Sequence, residues 1–220
     1  MLFRSRLGAD PDRVVTVSVG AETIVSGPSV PAGPPTVLYP ATTHPHKNHR
    51  LLVEAFDRVA ARHPNARLVL TGGRGAAEAD VVRAIATAKH AGRIDRTGRV
   101  PVADLARHLA DADVVAFPSA YEGFGIPVLE AMAAGVPVLV ADGTPAADLV
   151  QGCDAIVGAG DPAAWAEALD RLLADRDHRT ALATRVLAAA RDHTWEASAA
   201  ALERAWRLLL AGSAPAGRGM

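Results

Sequence analysis

The chain has 220 residues, with 23 lysine and arginine residues against 24 aspartate and glutamate residues. This balance gives a formal net charge of -1 and argues against nucleic acid or an anionic lipid surface as a partner. Hydrophobic residues make up 50% of the chain, which argues against disorder, yet no apolar run reaches the roughly 18–20 residues of a membrane span. The lone cysteine, Cys153, excludes an internal disulfide framework, and we expect a cytoplasmic protein.

The two ends of the chain differ in composition from its middle. Residues 14–19 read as a β-branched strand closed by Gly20, and residues 26–35 are rich in proline and glycine, which is typical of a linker or an exposed crossing. Residues 212–220 are small and are expected to form a flexible tail.

Between these ends, short apolar strands alternate with helical segments. Strands are predicted at residues 36–40, 67–71, 93–97, 113–117, 136–140 and 155–157. Helices are predicted from residue 51, over 76–91, 102–110 and 127–134, with three more reaching residue 211. Continuous apolar strands separated by helices indicate a parallel sheet covered on both faces. The sequence therefore predicts a doubly wound, mainly parallel, Rossmann-like α/β domain over residues 36–211, with helices at its C-terminal end.

Residues suited to binding an anion follow several of these strands. In such sheets ligands bind beyond the carboxyl ends of the strands. The segments that come there are Thr42 to Lys47, Gly72 to Gly75, Gly98 to Val100, Pro118 to Glu130 and Asp142 to Pro145. Their common edge is the predicted binding site.

Lys47 stands directly before a predicted helix, with Asn48 as its expected N-cap. A cation there opposes the helix dipole at a cost of about 0.3–1 kcal/mol, which changes sign if an anion lies between the lysine and the helix amides. The alternative is a solvated lysine. The histidines at 44, 46 and 49 could suggest a metal, but no carboxylate or cysteine joins them and their spacing fits no common site, so no metal is predicted.

A glycine loop precedes another predicted helix. Gly123 and Gly125 let the backbone approach a ligand closely, and Pro127 suits the first position of the helix. Glu122 and Glu130 flank this loop, and each carboxylate can accept hydrogen bonds from two adjacent hydroxyl groups.

The run from Glu122 to Val138 closely resembles the donor-site motif of retaining GT-B-fold glycosyltransferases, the group 1 family whose members are similar to sucrose synthase and to mannosyltransferases. Four other stretches agree with it: Lys47-Asn48, Gly98 to Val100, Ala112 to Ser119 and Thr194 to Glu196. The resemblance covers about residues 10–210. It implies one half of a GT-B fold, in which the active site lies in a cleft between two Rossmann-like halves.

The resemblance implies roles for individual residues. Lys47 would neutralise the diphosphate and Glu122 would touch the transferred sugar, and these two are the candidate catalytic residues. Glu130 would hold the ribose hydroxyls. The other candidate donor-binding residues are Thr43, His44, Gly72, Arg99, Val100, Tyr121, Gly123, Phe124, Gly125 and Ile126. Among these, the amides of 124–126 would meet sugar and phosphate, Arg99 and Val100 would line the base, and Gly72 would allow close approach of the donor.

The chain departs from the family at three points. The family usually has an arginine five or six residues before the lysine, where this chain has Ala41 and Thr42, so His44, Arg74 or Arg99 would have to replace it, or hydrogen bonds would hold the diphosphate. Ala146 stands where the family often has glutamate. The chain also matches one half alone, so residues 1–35 would be a remnant of the N-terminal half and the interdomain linker.

The implied activity is transfer of a hexose from a nucleotide-diphosphate sugar with retention, and it would need a separate N-terminal acceptor-binding half. No metal or cofactor is implied, and membrane contact would come only through that other half. Residues 39–48 resemble members that use GDP-sugars, which implies a GDP-mannose-like donor. Two alternatives stay open: a stand-alone nucleotide-sugar-binding module without catalysis, and a GT-B-fold epimerase or phosphorylase.

Three further features are predicted to be structural. Asp111 and Asp113 form an Asp-x-Asp motif typical of metal sites, but they lie where a helix leads into a buried strand. Gly73-Arg74-Gly75 has Glu78 in place of the third glycine of a dinucleotide fingerprint, and it follows the second strand rather than the first. The three tryptophans, at 165, 195 and 206, are predicted to be core anchors.

Overall fold

The computed structural model describes residues 17, 19–21, 31 and 33–212. These residues separate into two compact units, one over 31 and 33–191 and the other joining 17 and 19–21 to 192–212. The predicted strand at 14–19, the linker at 26–35 and the tail at 212–220 lie largely outside the described residues, and the predicted domain boundaries stay predictions.

The larger unit contains one six-stranded sheet in the order β3-β2-β1-β4-β5-β6, and every neighbouring pair is parallel. The strands are β1 Thr36–Pro40, β2 Arg67–Thr71, β3 Ile94–Gly98, β4 Val114–Phe117, β5 Val138–Ala141 and β6 Ile156–Val157. The chain winds outward from β1 to β3, returns to β4 beside β1, and then winds the other way. The predicted doubly wound Rossmann-like sheet is confirmed.

The strands of the sheet centre are apolar throughout because helices flank the sheet. All four residues of β4 and all four of β5 are buried. Leu38 of β1 lies opposite Val69 of β2 and Val115 of β4, so branched side chains stack across three strands. The core therefore lies on the sheet, as the run of apolar strands predicts.

Seven α-helices belong to this unit in the part of the chain described: α1 His49–Ala60, α2 Glu78–Thr87, α3 Val102–Ala110, α4 Ile126–Ala133, α5 Pro145–Leu149, α6 Pro162–Ala174 and α7 Arg176–Ala190. Two 3-10 turns, Pro45–Lys47 and Ala91–Arg93, precede α1 and β3. Helix α1 packs against α2 and α6, and α4 packs against α7. Trp165 of α6 is fully buried and its indole N–H donates to the carbonyl of Gly158 at 3.2 Å, as its predicted anchoring role requires.

Asp113 has a structural role, as predicted from its position. Its carboxylate accepts a hydrogen bond from the Thr36 backbone N–H at 2.9 Å and lies 3.3 Å from the Arg179 guanidinium. Asp113 is buried whereas Asp111 is exposed, so the two carboxylates of the motif do not share an environment. The aspartate thus connects the starts of β1 and β4 to α7.

The smaller unit contains α8, Trp195–Gly212. A Cβ on Gly20 would lie 2.3 Å from the backbone nitrogen of Trp195, so only glycine fits there. Trp195 and Trp206 are 52% and 60% exposed, and the prediction that they anchor a core is wrong. Their helical spacing suggested burial, but both side chains lie on an outward face of α8. Within the described residues, no helix is long and apolar enough to cross a bilayer.

Candidate functional site

The loops that follow β1 and β4 meet at the carboxyl edge of the sheet, because these two strands are neighbours. The backbone N–H of Ala120 donates to the carbonyl of His46 at 2.7 Å, and the Asn48 side-chain amide donates to the carbonyl of Pro118 at 2.8 Å. Asn48 occupies the predicted N-cap position of α1, with φ of 52°. The side chain does not cap the helix, because it bonds to the loop after β4.

The buried side chain of Tyr39 forms hydrogen bonds with both of these loops. Its hydroxyl lies 2.8 Å from the Lys47 carbonyl and 2.9 Å from the Ser119 hydroxyl. Because the carbonyl can only accept, the phenol donates to Lys47 and the serine donates to the phenol. Burial raises the pKa of Tyr39 far above its usual value, against the opposing effect of the Ser119 hydrogen bond, so the phenol stays protonated and keeps this donor role.

Lys47 ends the 3-10 turn before α1, and its side chain meets Glu122 from the β4 loop. The distances from Nζ to the two carboxylate oxygens are both 2.7 Å. Both side chains are largely buried, at 19% and 11% exposed. The sequence predicts a sugar contact for Glu122 and a diphosphate contact for Lys47, and the structure brings these two predicted catalytic residues together as an ion pair.

The glycine loop leads directly into α4, as predicted, with Pro127 at the second rather than the first helical position. Gly125 has φ of 98°, and a Cβ there would lie 2.8 Å from the Cβ of Ala146 in α5. Glycine is therefore required by backbone conformation and by packing against α5. Ala146, where the family often has glutamate, is fully buried at this contact.

Helices α1 and α4 both begin at this edge, and the loops that lead into them are joined by hydrogen bonds. The first N–H groups of any helix lack partners inside it, and they carry the positive end of the dipole. Phe124 is half-buried in the glycine loop, Ile126 is exposed as the first residue of α4, and Glu130 is half-buried in its second turn. Lys47, Glu122 and the glycine loop together form what we call the edge site.

The loop after β2 is held by Arg96, a residue that the sequence did not single out. The Arg96 guanidinium of β3 donates to the carbonyls of Gly72 and Gly73 at 2.8 and 3.2 Å, and to Glu78 at 3.0 Å. Glu78 also accepts from the Thr43 hydroxyl at 2.7 Å. Burial acts to raise the pKa of Glu78, but the hydrogen bonds from Thr43 and Arg96 hold it below its usual range. The one sequence signal was a charged residue inside a strand of the sheet.

This network changes the interpretation of two predicted donor contacts. Thr43 is fully buried and its hydroxyl also accepts from the Gly75 N–H at 2.8 Å, so its side chain supports the loops, and its donor contact stays a prediction. At Gly72, with φ of 122°, a Cβ would lie 2.3 Å from the carbonyl oxygen of Ala41. Packing of the β1 and β2 loops therefore explains this glycine, and the predicted approach of a donor stays a prediction.

The other predicted residues lie at the surface of the same edge. His44 stacks on His46 with ring centroids 5.7 Å apart, and His46 meets Tyr121 edge-on at 6.2 Å. Tyr121 is 64% exposed, Gly123 is exposed, and Arg99 and Val100 follow β3, two strands away from β1. Arg99 and Arg74 are both exposed, so neither is held at the edge site as a second cation.

His49 is separated from the two surface histidines by burial. Its Nε2 lies 3.3 Å from the Ala41 carbonyl and its Nδ1 is buried without a hydrogen-bond partner. Burial lowers the pKa of His49 to about 4. In the described residues no group of three or more His, Cys, Asp or Glu side chains could hold a metal ion.

A separate cleft of about 760 Å³ runs between α1 and α2. It shares His44 and Pro45 with the edge but is lined by neither Lys47 nor Glu122. The cleft also reaches the start of α1 at Asn48 and His49, and Arg50 and Arg83 are among its charged residues. We place the candidate site at the strand ends, because the largely buried Lys47–Glu122 pair and the glycine loop lie there.

Comparison with known proteins agrees with this fold. The glycosyl transferases group 1 family matches residues 22–187, about three quarters of the chain. The chain therefore belongs to the glycosyl transferases group 1 family. The predicted resemblance to the C-terminal domain of a GT-B-fold glycosyltransferase is confirmed at the level of family and fold.

Individual relatives support the same assignment. An O-antigen chain mannosyltransferase B from Escherichia coli is 32% identical over 78% of this chain and 45% of its own length. A D-inositol 3-phosphate glycosyltransferase from Xylanimonas cellulosilytica is 34% identical over 89% of this chain and 51% of its own length. The structure of a sucrose-phosphate synthase from Thermosynechococcus elongatus aligns with a TM-score of 0.78 at 26% identity, covering 89% of this chain and 52% of that one. The chain spans about half the length of the curated relatives it matches.

Proposed function

We propose that this chain is the nucleotide-sugar-binding half of a retaining glycosyltransferase that transfers a hexose to an acceptor. The observation that carries the proposal is the edge site, where Lys47, the start of α1 and the glycine loop at the start of α4 adjoin. A cation beside two helix starts suits a diphosphate, and carboxylates suit the hydroxyls of ribose and sugar. Membership of the family supports the same activity.

In the proposed reaction the chain contributes electrostatics and positioning. Lys47 and the helix starts stabilise the negative charge that develops on the departing nucleoside diphosphate. Glu130 holds the ribose and Glu122 holds the transferred sugar. A donor phosphate oxygen takes the acceptor proton on the same face, so the chain needs to supply no general base.

The donor is proposed to be a GDP-mannose-like sugar. Support comes from the resemblance of residues 39–48 to members that use GDP-sugars and from the similarity to the mannosyltransferase of Escherichia coli. A thermal-shift panel of UDP, GDP, ADP and dTDP tests the base, because ligand at a hundredfold excess over its Kd stabilises the folded chain by about 2.7 kcal/mol. GDP should give the largest shift, and a larger shift with another base would contradict this donor.

The site itself is tested by Lys47→Ala and Glu130→Ala. Each variant should bind the nucleoside diphosphate at least about tenfold more weakly than the wild-type chain in calorimetry, because each loses a charge-assisted contact. Unchanged affinity in both variants would contradict the site.

The second candidate is a binding module that catalyses nothing without an acceptor half. The sequence leaves this alternative open, and the purified chain can be tested for it directly. Nucleotide-sugar binding without sugar transfer or hydrolysis by the purified chain supports it. Transfer by the purified chain alone would exclude it.

A further inference from the structure

The ion pair between Lys47 and Glu122 is built into the backbone around it. Lys47 is held by the hydrogen bond from Tyr39 to its carbonyl at 2.8 Å. The segment before Glu122 is held by the bond from the Ala120 N–H to the His46 carbonyl at 2.7 Å. Because both backbone segments are fixed, the contacts of 2.7 Å from Nζ to each carboxylate oxygen are not a chance meeting of long surface side chains.

The pair is also shielded from solvent. With side chains only 19% and 11% exposed, the two charges are screened less than those of a surface pair. Separating them leaves each charge partly buried without its partner, which is costly unless a ligand supplies a replacement. What the ligand offers to Glu122 therefore matters as much as what it offers to Lys47.

Under the proposed function, on which this inference rests, the two groups take different parts of the donor. A nucleotide sugar offers a phosphate to Lys47 and hydroxyl donors to Glu122, so both groups exchange one partner for another. A nucleoside diphosphate offers a phosphate to Lys47 but has no sugar hydroxyl for Glu122. It draws Lys47 away and leaves the Glu122 carboxylate without a partner, close to a group of the same charge.

We propose that the Lys47–Glu122 ion pair makes the edge site discriminate against a nucleoside diphosphate and in favour of an intact nucleotide sugar. Glu122 acts as a specificity-determining residue in two ways, by contact with the sugar and by competition for Lys47. The ion pair therefore favours release of the nucleoside diphosphate, the product that remains of the donor after sugar transfer.

Glu122→Gln tests this inference because it removes the charge and keeps the shape. Calorimetry compares wild type and variant with UDP and UDP-glucose, and with GDP and GDP-mannose. The variant should bind the nucleoside diphosphate about three- to tenfold more tightly, the range expected for loss of a competing ion pair. Its preference for the nucleotide sugar over the matching nucleoside diphosphate should fall by at least the same factor.

Two controls separate this effect from a general change of charge. In a Lys47→Met background, Glu122→Gln should give a clearly smaller gain, because competition for the lysine is absent and only the repulsion between Glu122 and the diphosphate is relieved. Glu203→Gln removes an exposed carboxylate that pairs with Arg207 at 2.6 Å on α8, and it should leave both affinities unchanged.

The possible results are distinguishable. Wild type that binds while Glu122→Gln binds the nucleoside diphosphate equally or more weakly overturns the inference and leaves the proposed function standing. A gain of the same size without Lys47 also overturns it. Failure of wild type and variant to bind any of the four ligands contradicts the proposed function and, with it, this inference.

Discussion

At the scale of single residues, hydrogen bonds to the backbone show which buried polar groups near the strand ends support the fold. Thr43 and His49 follow β1 as closely as Lys47 does, yet both are buried and bonded to neighbouring backbone. The sequence makes Thr43 a candidate donor contact and Lys47 a candidate catalytic residue, and it places His49 among three histidines for which no metal is predicted. The sequence could not separate these roles, because they depend on contacts with the loops after β1 and β2.

The buried histidine predicts a pH dependence of stability. The Ala41 carbonyl can only accept, so Nε2 of His49 carries the hydrogen and the unpartnered Nδ1 is bare. A pKa lowered from 6.5 to about 4 means that the unfolded chain binds this proton more readily than the folded one. Stability is then fully present above pH 6.5 and falls by about 3 kcal/mol as the pH drops to 4.

Urea unfolding between those pH values measures this contribution. His49→Gln cannot titrate and should lose most of the slope, whereas His46→Gln, at an exposed position of the same loop, should keep the wild-type slope. Equal slopes in wild type and His49→Gln would show that other groups, such as the carboxyls, carry the dependence.

At the scale of elements, the sequence predicted several strands and longer helices well but missed the shortest helix. Strands β1 and β2 match their predicted bounds, as does α3, because each has a clear apolar pattern between breakers. The five-residue α5 was missed since so short a helix has no periodicity to detect. The Arg96 network was missed because a charged residue inside a strand does not reveal which carbonyls of a neighbouring loop it bonds to.

The glycine loop gives a prediction at this scale. Gly125→Ala places a side chain at φ of 98° and 2.8 Å from Ala146, and it should lower the free energy of unfolding by about 1–3 kcal/mol. Gly123→Ala is the matched control, because no atom lies within 4 Å of its added Cβ, and it should stay within about 0.5 kcal/mol of wild type. Urea denaturation of both compares them directly, and equal stability of the two variants would mean that the loop adapts without strain.

At the scale of the whole molecule, one edge of the parallel sheet in the larger unit carries Lys47 and the starts of α1 and α4. The carboxylates of Glu122 and Glu130 lie in the segments that follow β4 at this edge. The strand order of the sheet places β1 beside β4 at the point where the winding reverses, which is where ligands bind in such folds. The chain belongs to a glycosyltransferase family and spans about half the length of its relatives. Under the proposed function, the edge site is where the donor binds.

The central claim is that the edge site binds the diphosphate of a nucleotide sugar, and a crystal structure of the chain with a bound nucleoside diphosphate tests it most directly. The account predicts phosphate oxygens within hydrogen-bonding distance of Lys47 Nζ and of the amides at the start of α4, with ribose at Glu130. A nucleotide bound instead in the cleft between α1 and α2, with Lys47 still paired only to Glu122, would contradict it.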